Sequence, residues 1–270
     1  MTGAMVTGSV PGAEGGHYRF RHVARMEWIK LRSVRSTWML LAFIVLAMVG
    51  VGIGVGVGYR SHTPVASAAQ IVNNALGGAV LAQLLIGALG VLAVTGEYSS
   101  GMVRATFAAI PHRGLVLAAK VVIFGLVAFA VGELAAFAGL VAGQAAISGS
   151  PVPRVPLGDP AVLRPVLFTG AYLGLIGLLG VGLGTLIRHT GGAIGALFGA
   201  MFVPMFLGAM FGQAGIAVLK FVPLFILINS VAVVTPVPAT LSAWAGIGVL
   251  CLYAAVALGL GWWLLVRRDA

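Results

Sequence analysis

The residues that could do chemistry are few in this 270-residue chain, and they are scattered. It has six acidic residues, five histidines and one cysteine, Cys251. No Ser/His/Asp set, no carboxylate pair and no pair of histidines at metal-binding spacing can be assembled from them. The phosphate-binding pattern Gly-x-x-x-x-Gly-Lys-Ser/Thr does not occur either. We therefore expect neither an enzyme nor a cofactor or metal site on this chain.

The densest group of functional residue types lies between residues 97 and 120. It reads Glu97-Tyr98-Ser-Ser-Gly101-x-x-Arg104-x-Thr106, followed by Pro111, Arg113 and Lys120. On a single helix Glu97, Gly101 and Arg104 would share one face, and Met102, Thr106 and Ile110 a more apolar one. A short amphipathic helix of this kind, ended by Pro111, could transmit movement to a soluble partner. The alternative is an ordinary loop at the membrane surface.

Glu133 is a separate candidate because it lies within a long apolar segment, where an acidic residue is costly. It could couple a proton or contact a substrate, or it could be a hydrogen-bonded structural residue inside the protein. Gln83, Gln144 and Asn229 are weaker polar markers of the same kind.

The composition defines the class of protein that positions these residues. The chain is 60% hydrophobic and 8% charged, with a mean hydropathy of +1.08, whereas soluble domains carry about 25% charged residues. Its outer surface must therefore meet lipid, and we predict an all-α integral membrane protein. The net charge of +10 does not indicate nucleic-acid binding, because the basic residues form short groups beside apolar segments.

Six segments are long and apolar enough to span a bilayer. They cover approximately residues 38–58, 79–96, 115–147, 166–187, 193–211 and 243–266. Residues 148–165 form a proline-rich loop. Residues 213–242 are apolar but contain Pro223, Pro236 and Pro238, so we predict a re-entrant or half-inserted segment before span six.

The chain divides into a short N-terminal tail and one domain. Residues 1–20 are predicted to be a disordered cytoplasmic tail, and residues 21–270 a single transmembrane domain. In residues 21–35, just before span one, apolar residues recur at helical spacing among basic ones. That pattern suits an interfacial amphipathic helix or, equally, a plain basic flank of span one. Its candidate interfacial residues are Arg25, Trp28, Lys30, Arg32 and Arg35.

The distribution of Lys and Arg predicts the orientation. With the N-terminus inside, 12 of the 16 lie in the cytoplasmic segments and 4 in the outer ones, so both termini are expected in the cytoplasm.

Glycines recur every four residues at 50–58, at 180–184 and at 191–199. Such stripes allow close helix approach, either within one chain or between subunits.

The segment from Glu97 to Lys120 resembles the signature of ABC-2-type permeases, the membrane subunits of one class of ABC transporter. The run Glu27-Trp-Ile-Lys-Leu-Arg-Ser-x-Arg-Ser-Thr-Trp38 is similar to the elbow segment that precedes span one in that family. The resemblance extends from about Arg21 to Arg268. Many members of that family have two basic residues after the proline, whereas this chain has His112-Arg113.

The resemblance implies a permease without its own ATP site. It would pair with a second copy or a paralogue, over two copies of a separately encoded ATPase that supplies ATP and Mg. The segment 97–112 would be a cytoplasmic coupling helix, with Glu97, Tyr98, Gly101, Arg104, Thr106, Pro111 and Arg113 as coupling residues. Such systems mostly export drugs, peptides, lipids or glycan precursors from a cell membrane, here a bacterial one. The competing classes are a proton-linked transporter using Glu133 and a non-transport membrane protein such as an assembly factor.

Overall fold

The chain is α-helical throughout the part that the structure describes. A computed structural model describes residues 19–61, 67–148, 156–231 and 241–267. The helices are α1 (Phe20–Ser33), α2 (Arg35–Ser61), α3 (Ala68–Ala75), α4 (Ala79–Ser99), α5 (Met102–Ala109), α6 (Arg113–Ala146), α7 (Pro160–Ile187), α8 (Thr190–Met210), α9 (Gly212–Leu219), α10 (Pro223–Val231) and α11 (Ala243–Arg267). A 3-10 turn, Leu76–Gly78, joins α3 to α4.

Six of these helices are long and apolar enough to cross a membrane. They are α2, the continuous α3–α4 unit from Ala69, α6, α7, α8 and α11. Each contains an 18-residue window of mean hydropathy between 1.7 and 2.7, which suits a hydrocarbon environment. The all-helical, multi-pass prediction is confirmed at this level.

Helix α7 is the centre of the bundle. It packs against α4, α6 and α11, and 72% of its apolar window is buried inside the protein. Its tyrosine, Tyr172, is fully buried and donates a hydrogen bond to the side-chain oxygen of Gln83 on α4. The polar marker Gln83 is thus a structural contact between two central helices.

The glycine stripes differ in what lies beside them. Gly184 packs inside the chain, since a Cβ there would lie 3.1 Å from the Val91 carbonyl oxygen of α4. By contrast, a Cβ at positions 50 and 54 on α2 or at positions 195 and 199 on α8 would meet no atom of the described residues within 4 Å. On α2 it is the intervening Gly52 and Gly56 that meet α6. The stripe of α2 singled out in the sequence therefore faces away from the bundle.

Helix α7 begins six residues before the predicted span, so the proline-rich loop prediction was wrong over residues 160–165. The Asp159 carboxylate accepts a hydrogen bond from the Ala161 backbone N–H at 2.9 Å and caps the helix. Pro160 occupies the first turn, where a missing N–H costs nothing. Pro165, the sixth residue, also lies in the helix, and Thr169 donates to its carbonyl oxygen at 2.7 Å.

The segment predicted to be re-entrant contains two short helices, α9 and α10. Helix α10 packs on α7 and α11, with Leu224, Ile226 and Leu227 buried. Neither helix has the length of a span.

Residues 232–240, with Pro236 and Pro238, lie outside the described residues, as do residues 1–18 of the predicted N-terminal tail. Phe20, assigned to that tail, is the first residue of α1.

Candidate functional site

Three helices bring charged side chains together at one end of the bundle. Helix α1 contributes Glu27 and Lys30, the last turn of α4 contributes Glu97, and the second turn of α6 contributes Lys120. Helix α5 lies between α4 and α6 in the chain and adds Thr106. We call these five residues the charge cluster.

The ion pairs of the charge cluster form a closed arrangement. Lys120 Nζ lies 2.5 Å from Glu27 Oε2 and 2.7 Å from Glu97 Oε1. Lys30 Nζ lies 3.1 Å from Glu27 Oε1 and 3.0 Å from Glu97 Oε1. Each ammonium therefore donates to both carboxylates, and each carboxylate accepts from both ammoniums. These are charge-assisted hydrogen bonds, which are short and strong compared with neutral ones.

The charge cluster is largely shielded from its surroundings. Side-chain exposure is 3% for Glu27, 9% for Lys120, 12% for Glu97 and 20% for Lys30. Its two positive and two negative charges cancel. Because unpaired charges at such burial would be very costly, the four residues depend on one another to remain ionised.

The cluster also connects to α5 through a single hydrogen bond. Lys30 Nζ donates to Thr106 Oγ1 at 3.1 Å, and the Thr106 hydroxyl donates in turn to the Met102 carbonyl oxygen at 3.1 Å. Thr106 is buried, whereas Arg104 and Ala108 on the opposite side of the short helix are exposed. Helix α5 thus has one side on the cluster and one side free of the bundle.

Apolar packing holds α1 and α5 beside α6. Val23 of α1 is buried against Ile110, which follows α5, and against Val116 and Ala119 of α6. Phe107 of α5 packs on the same group. Burying a valine side chain contributes about 1.5–3 kcal/mol, so this contact fixes α1 on α6 and lets the ion pairs form at short distance.

The expectation that Glu97, Gly101 and Arg104 share a face of one helix is wrong. Helix α4 ends at Ser99, and Gly101 has φ of 71° before α5 begins at Met102. Glycine adopts this left-handed conformation without strain. The turn separates Glu97, which points into the cluster, from Arg104, which is exposed and takes part in none of the ion pairs of the described residues.

Two of the predicted coupling residues, Tyr98 and Arg113, lie beside the cluster, near the end of α11. The Arg113 guanidinium lies 5.4 Å from the Phe107 ring centroid and donates to the Leu265 carbonyl oxygen at 3.4 Å. Arg188, which ends α7, lies 5.3 Å from the Tyr98 ring centroid and donates to the Leu264 carbonyl oxygen at 3.5 Å. These arginines place positive charge at the C-terminal end of α11, where the helix dipole favours it. Pro111 is exposed between α5 and α6.

The predicted interfacial residues are divided between surface and cluster. Arg25, Trp28, Arg32 and Arg35 are exposed, and Lys30 belongs to the cluster. The extended Val34 separates α1 from α2, so α1 is a helix of its own rather than a continuation of span one.

A cavity of about 350 Å³ lies against the charge cluster. The four charged side chains form part of its wall, and apolar side chains of α1, α4 and α6, including Leu31, Leu89 and Phe124, form much of the rest. The cluster therefore has free volume on one side, into which its side chains can shift.

Glu133 lies outside the charge cluster, further along α6. It packs against Gly170 of α7, where a side chain would overlap its carboxyl group. Its Oε1 atom is buried and has no hydrogen-bond partner among the described residues. The hydrogen-bonded structural role considered for Glu133 is thus not seen in this part of the chain.

Sequence reasoning did not assign Glu27 and Lys120 to the site. Both occur in the motif segments, but Lys120 and its closest partner Glu27 are 93 residues apart. The available signal was the location of Lys120 near the start of the apolar helix α6, where a basic side chain is expensive without a partner. Glu27 lies in the middle of the basic helix α1, and its position gave no such signal.

Comparison of the chain with models of known protein families found no match, and comparison with curated proteins found none either.

Proposed function

We propose that this chain is the membrane-spanning subunit of an ABC-2-type exporter that is driven by a separate ATPase subunit. The observation that carries the proposal is the charge cluster. It joins residues from the two segments that resemble the permease motifs, Lys30 from one and Glu97, Thr106 and Lys120 from the other.

The cluster is suited to passing movement from α5 to the bundle. A partner that displaces the exposed side of α5 would pull on Thr106, and through Lys30 on the carboxylates of α1 and α4. Lys120 would carry the same displacement to α6. In the proposed mechanism, closure of the ATPase dimer moves α5, and α4 and α6 shift relative to each other to open the substrate path outward.

A second copy or a paralogue would complete the transporter. The open glycine positions on α2 and α8 support this pairing, since small residues allow helix backbones to approach where lipid supplies no hydrophobic drive. Gly54→Ile is expected to lower the dimer fraction of the purified chain by fivefold or more without unfolding it. Cross-linking or mass photometry in nanodiscs measures that fraction, and an unchanged fraction would remove α2 from the pairing surface.

Recovery of the ATPase tests the proposal directly. The tagged chain, purified in mild detergent from its native cells, should retain a Walker-motif ATPase that mass spectrometry identifies. Arg104→Glu, an exposed change on α5, should reduce that recovery at least tenfold. Arg60→Glu is the matched control, because Arg60 is also exposed but ends α2 at the opposite end from α1. Normal recovery with Arg104→Glu, or no ATPase at all, would contradict the proposal.

The proton-linked transporter remains the second candidate because Glu133 has no partner among the described residues. Transport in sealed vesicles separates the two. An ATPase-driven permease requires ATP inside the donor compartment and works after an ionophore collapses the pH gradient, whereas a proton-linked transporter stops.

A further inference from the structure

A groove separate from the charge cluster contains Glu133 in its wall. It has a volume of about 500 Å³ and lies between α6, α7 and the start of α11. Its wall includes Phe129 and Glu133 of α6, Leu167 and Phe168 of α7, and Trp244 of α11. The volume falls within the range of about 300–1,000 Å³ typical of small-molecule sites.

The groove runs from the helix ends into the apolar part of the bundle. Pro160 and Trp244, at the first turns of α7 and α11, line its outer part. Glu133 packs at Gly170, ten residues further along α7, which is about 15 Å at the rise of an α-helix. A ligand can therefore enter near the helix ends and reach the carboxyl group without crossing the bundle.

The electrostatics of the groove are those of an incomplete ion pair. Glu133 takes part in none of the ion pairs and side-chain hydrogen bonds of the described residues, and its Oε1 atom is buried. A carboxylate in an apolar environment needs a cation or donors to remain ionised. Arg164 also lines the groove, but it lies one turn after Pro160, is exposed, and forms no ion pair with Glu133 in the described structure.

Aromatic rings form the wall that faces a ligand. Phe168 and Trp244 meet edge to face with centroids 4.8 Å apart, and Phe129 stands one helical turn before Glu133. Trp244 is 75% exposed, so its ring is accessible to a ligand. Aromatic faces attract cations by about 0.5–2 kcal/mol each, most strongly for a cation that has lost its water.

We propose that this groove is a binding site for a lipophilic organic cation, with Glu133 as counter-ion and Phe129, Phe168 and Trp244 as the aromatic wall. A delocalised charge on an apolar body suits the position, because a compact, strongly hydrated ammonium would lose most of its hydration about 15 Å along the groove. The site does not depend on the ATPase proposal, since binding is measured on the chain alone. Either proposal can therefore fail while the other stands.

The test uses two ions of the same shape and opposite charge. The full chain in phosphatidylcholine nanodiscs is dialysed against tetraphenylphosphonium or tetraphenylborate, with empty nanodiscs correcting for partition into lipid. Tetraphenylphosphonium should bind saturably, with about one ion per chain, and tetraphenylborate should show no saturable binding. Glu133→Gln should weaken tetraphenylphosphonium binding at least tenfold, while Arg164→Gln, which also removes one charge from the groove, should not weaken it.

Trp244→Leu provides a second variant that leaves the core intact, because this side chain is exposed. It should weaken tetraphenylphosphonium binding at least threefold. Size-exclusion profiles identify any variant that does not fold, and Trp244→Leu then decides the question in place of Glu133→Gln. Equal binding by wild type and folded Glu133→Gln, equal binding of the two ions, or the absence of saturable binding to wild type would each overturn the proposal.

Discussion

Lys120→Met is the substitution that tests the charge cluster most directly. Methionine preserves most of the apolar stem of the side chain and removes the ammonium group. That group lies 2.5 Å from a Glu27 oxygen and 2.7 Å from a Glu97 oxygen. After its removal, two carboxylates share Lys30 alone, at 3.1 and 3.0 Å, and the formal charge of the cluster changes from zero to −1.

The expected loss of stability follows from burial. Removing one partner of a buried ion pair costs about 3–5 kcal/mol, because the other charge stays buried without compensation. Glu97 and Lys30 are 12% and 20% exposed, so water reaches part of the cluster and the lower end applies. We expect Lys120→Met to lower the free energy of unfolding by about 3 kcal/mol, roughly a hundredfold in the folding equilibrium at 1.4 kcal/mol per tenfold.

A double variant separates lost charge balance from lost packing. Glu27→Leu together with Lys120→Met removes the shortest pair and leaves Lys30 with Glu97, a cluster that is again neutral. Replacing a buried ion pair by apolar residues is often neutral, so the double variant should be more stable than Lys120→Met by about 1–3 kcal/mol.

The measurement is SDS-induced unfolding of the purified chain in mixed micelles, followed by far-UV circular dichroism. Lys220→Met is the matched control, since Lys220 lies outside the cluster with its ammonium 5.1 Å from the Phe221 ring centroid. Lys220 is half-buried, and a contact of this kind is worth about 1 kcal/mol there. The reasoning about a coupled, buried cluster would be refuted if Lys120→Met unfolded like wild type. It would also be refuted if the stability losses of Glu27→Leu alone and Lys120→Met alone simply added in the double variant.

Two further substitutions test the packing of the bundle. Gly139→Ala should lower the free energy of unfolding by about 1–3 kcal/mol, because its Cβ would lie 2.9 Å from the Met48 carbonyl oxygen, whereas Gly50→Ala, with open space beside it, should change it by less than about 0.5 kcal/mol. Equal effects in an SDS titration would show that α2 and α6 do not meet at Gly139. Tyr172→Phe should cost about 1–3 kcal/mol by leaving the fully buried Gln83 without its donor, and adding Gln83→Leu should recover part of that loss in thermal unfolding. A stable Tyr172→Phe variant with no recovery would mean that this hydrogen bond contributes little.

The spans could be predicted from the sequence because their signal is local. A run of about 20 apolar residues identifies a membrane helix whatever it packs against. The errors occurred where one residue changes the backbone. Asp159 and Pro160 start α7 inside a stretch that looks like a loop, and Gly101 turns the chain between α4 and α5. Proline and glycine permit several outcomes, and the neighbouring residues select among them.

The candidate site was only partly predictable for a different reason. The motif segments identified Glu97, Thr106 and Lys30, but which charges pair depends on how α1 packs on α6. That packing is decided by Val23 and its partners Ile110, Val116 and Ala119, which are ordinary apolar residues in the sequence. Nothing in their local pattern says that they meet, because contacts between distant segments are set by the whole bundle.

The arrangement around Lys30 explains why a neutral cluster would suit a moving part. Its ammonium is shared among Glu27, Glu97 and Thr106, so it uses all three of its hydrogen-bond donors on three different helices. A displacement of α5 therefore cannot relax locally: it either carries Lys30 along or breaks a bond. Because Lys120 holds the same two carboxylates from α6, the charges stay paired when Lys30 shifts. The free volume of about 350 Å³ beside the cluster leaves these side chains room to shift.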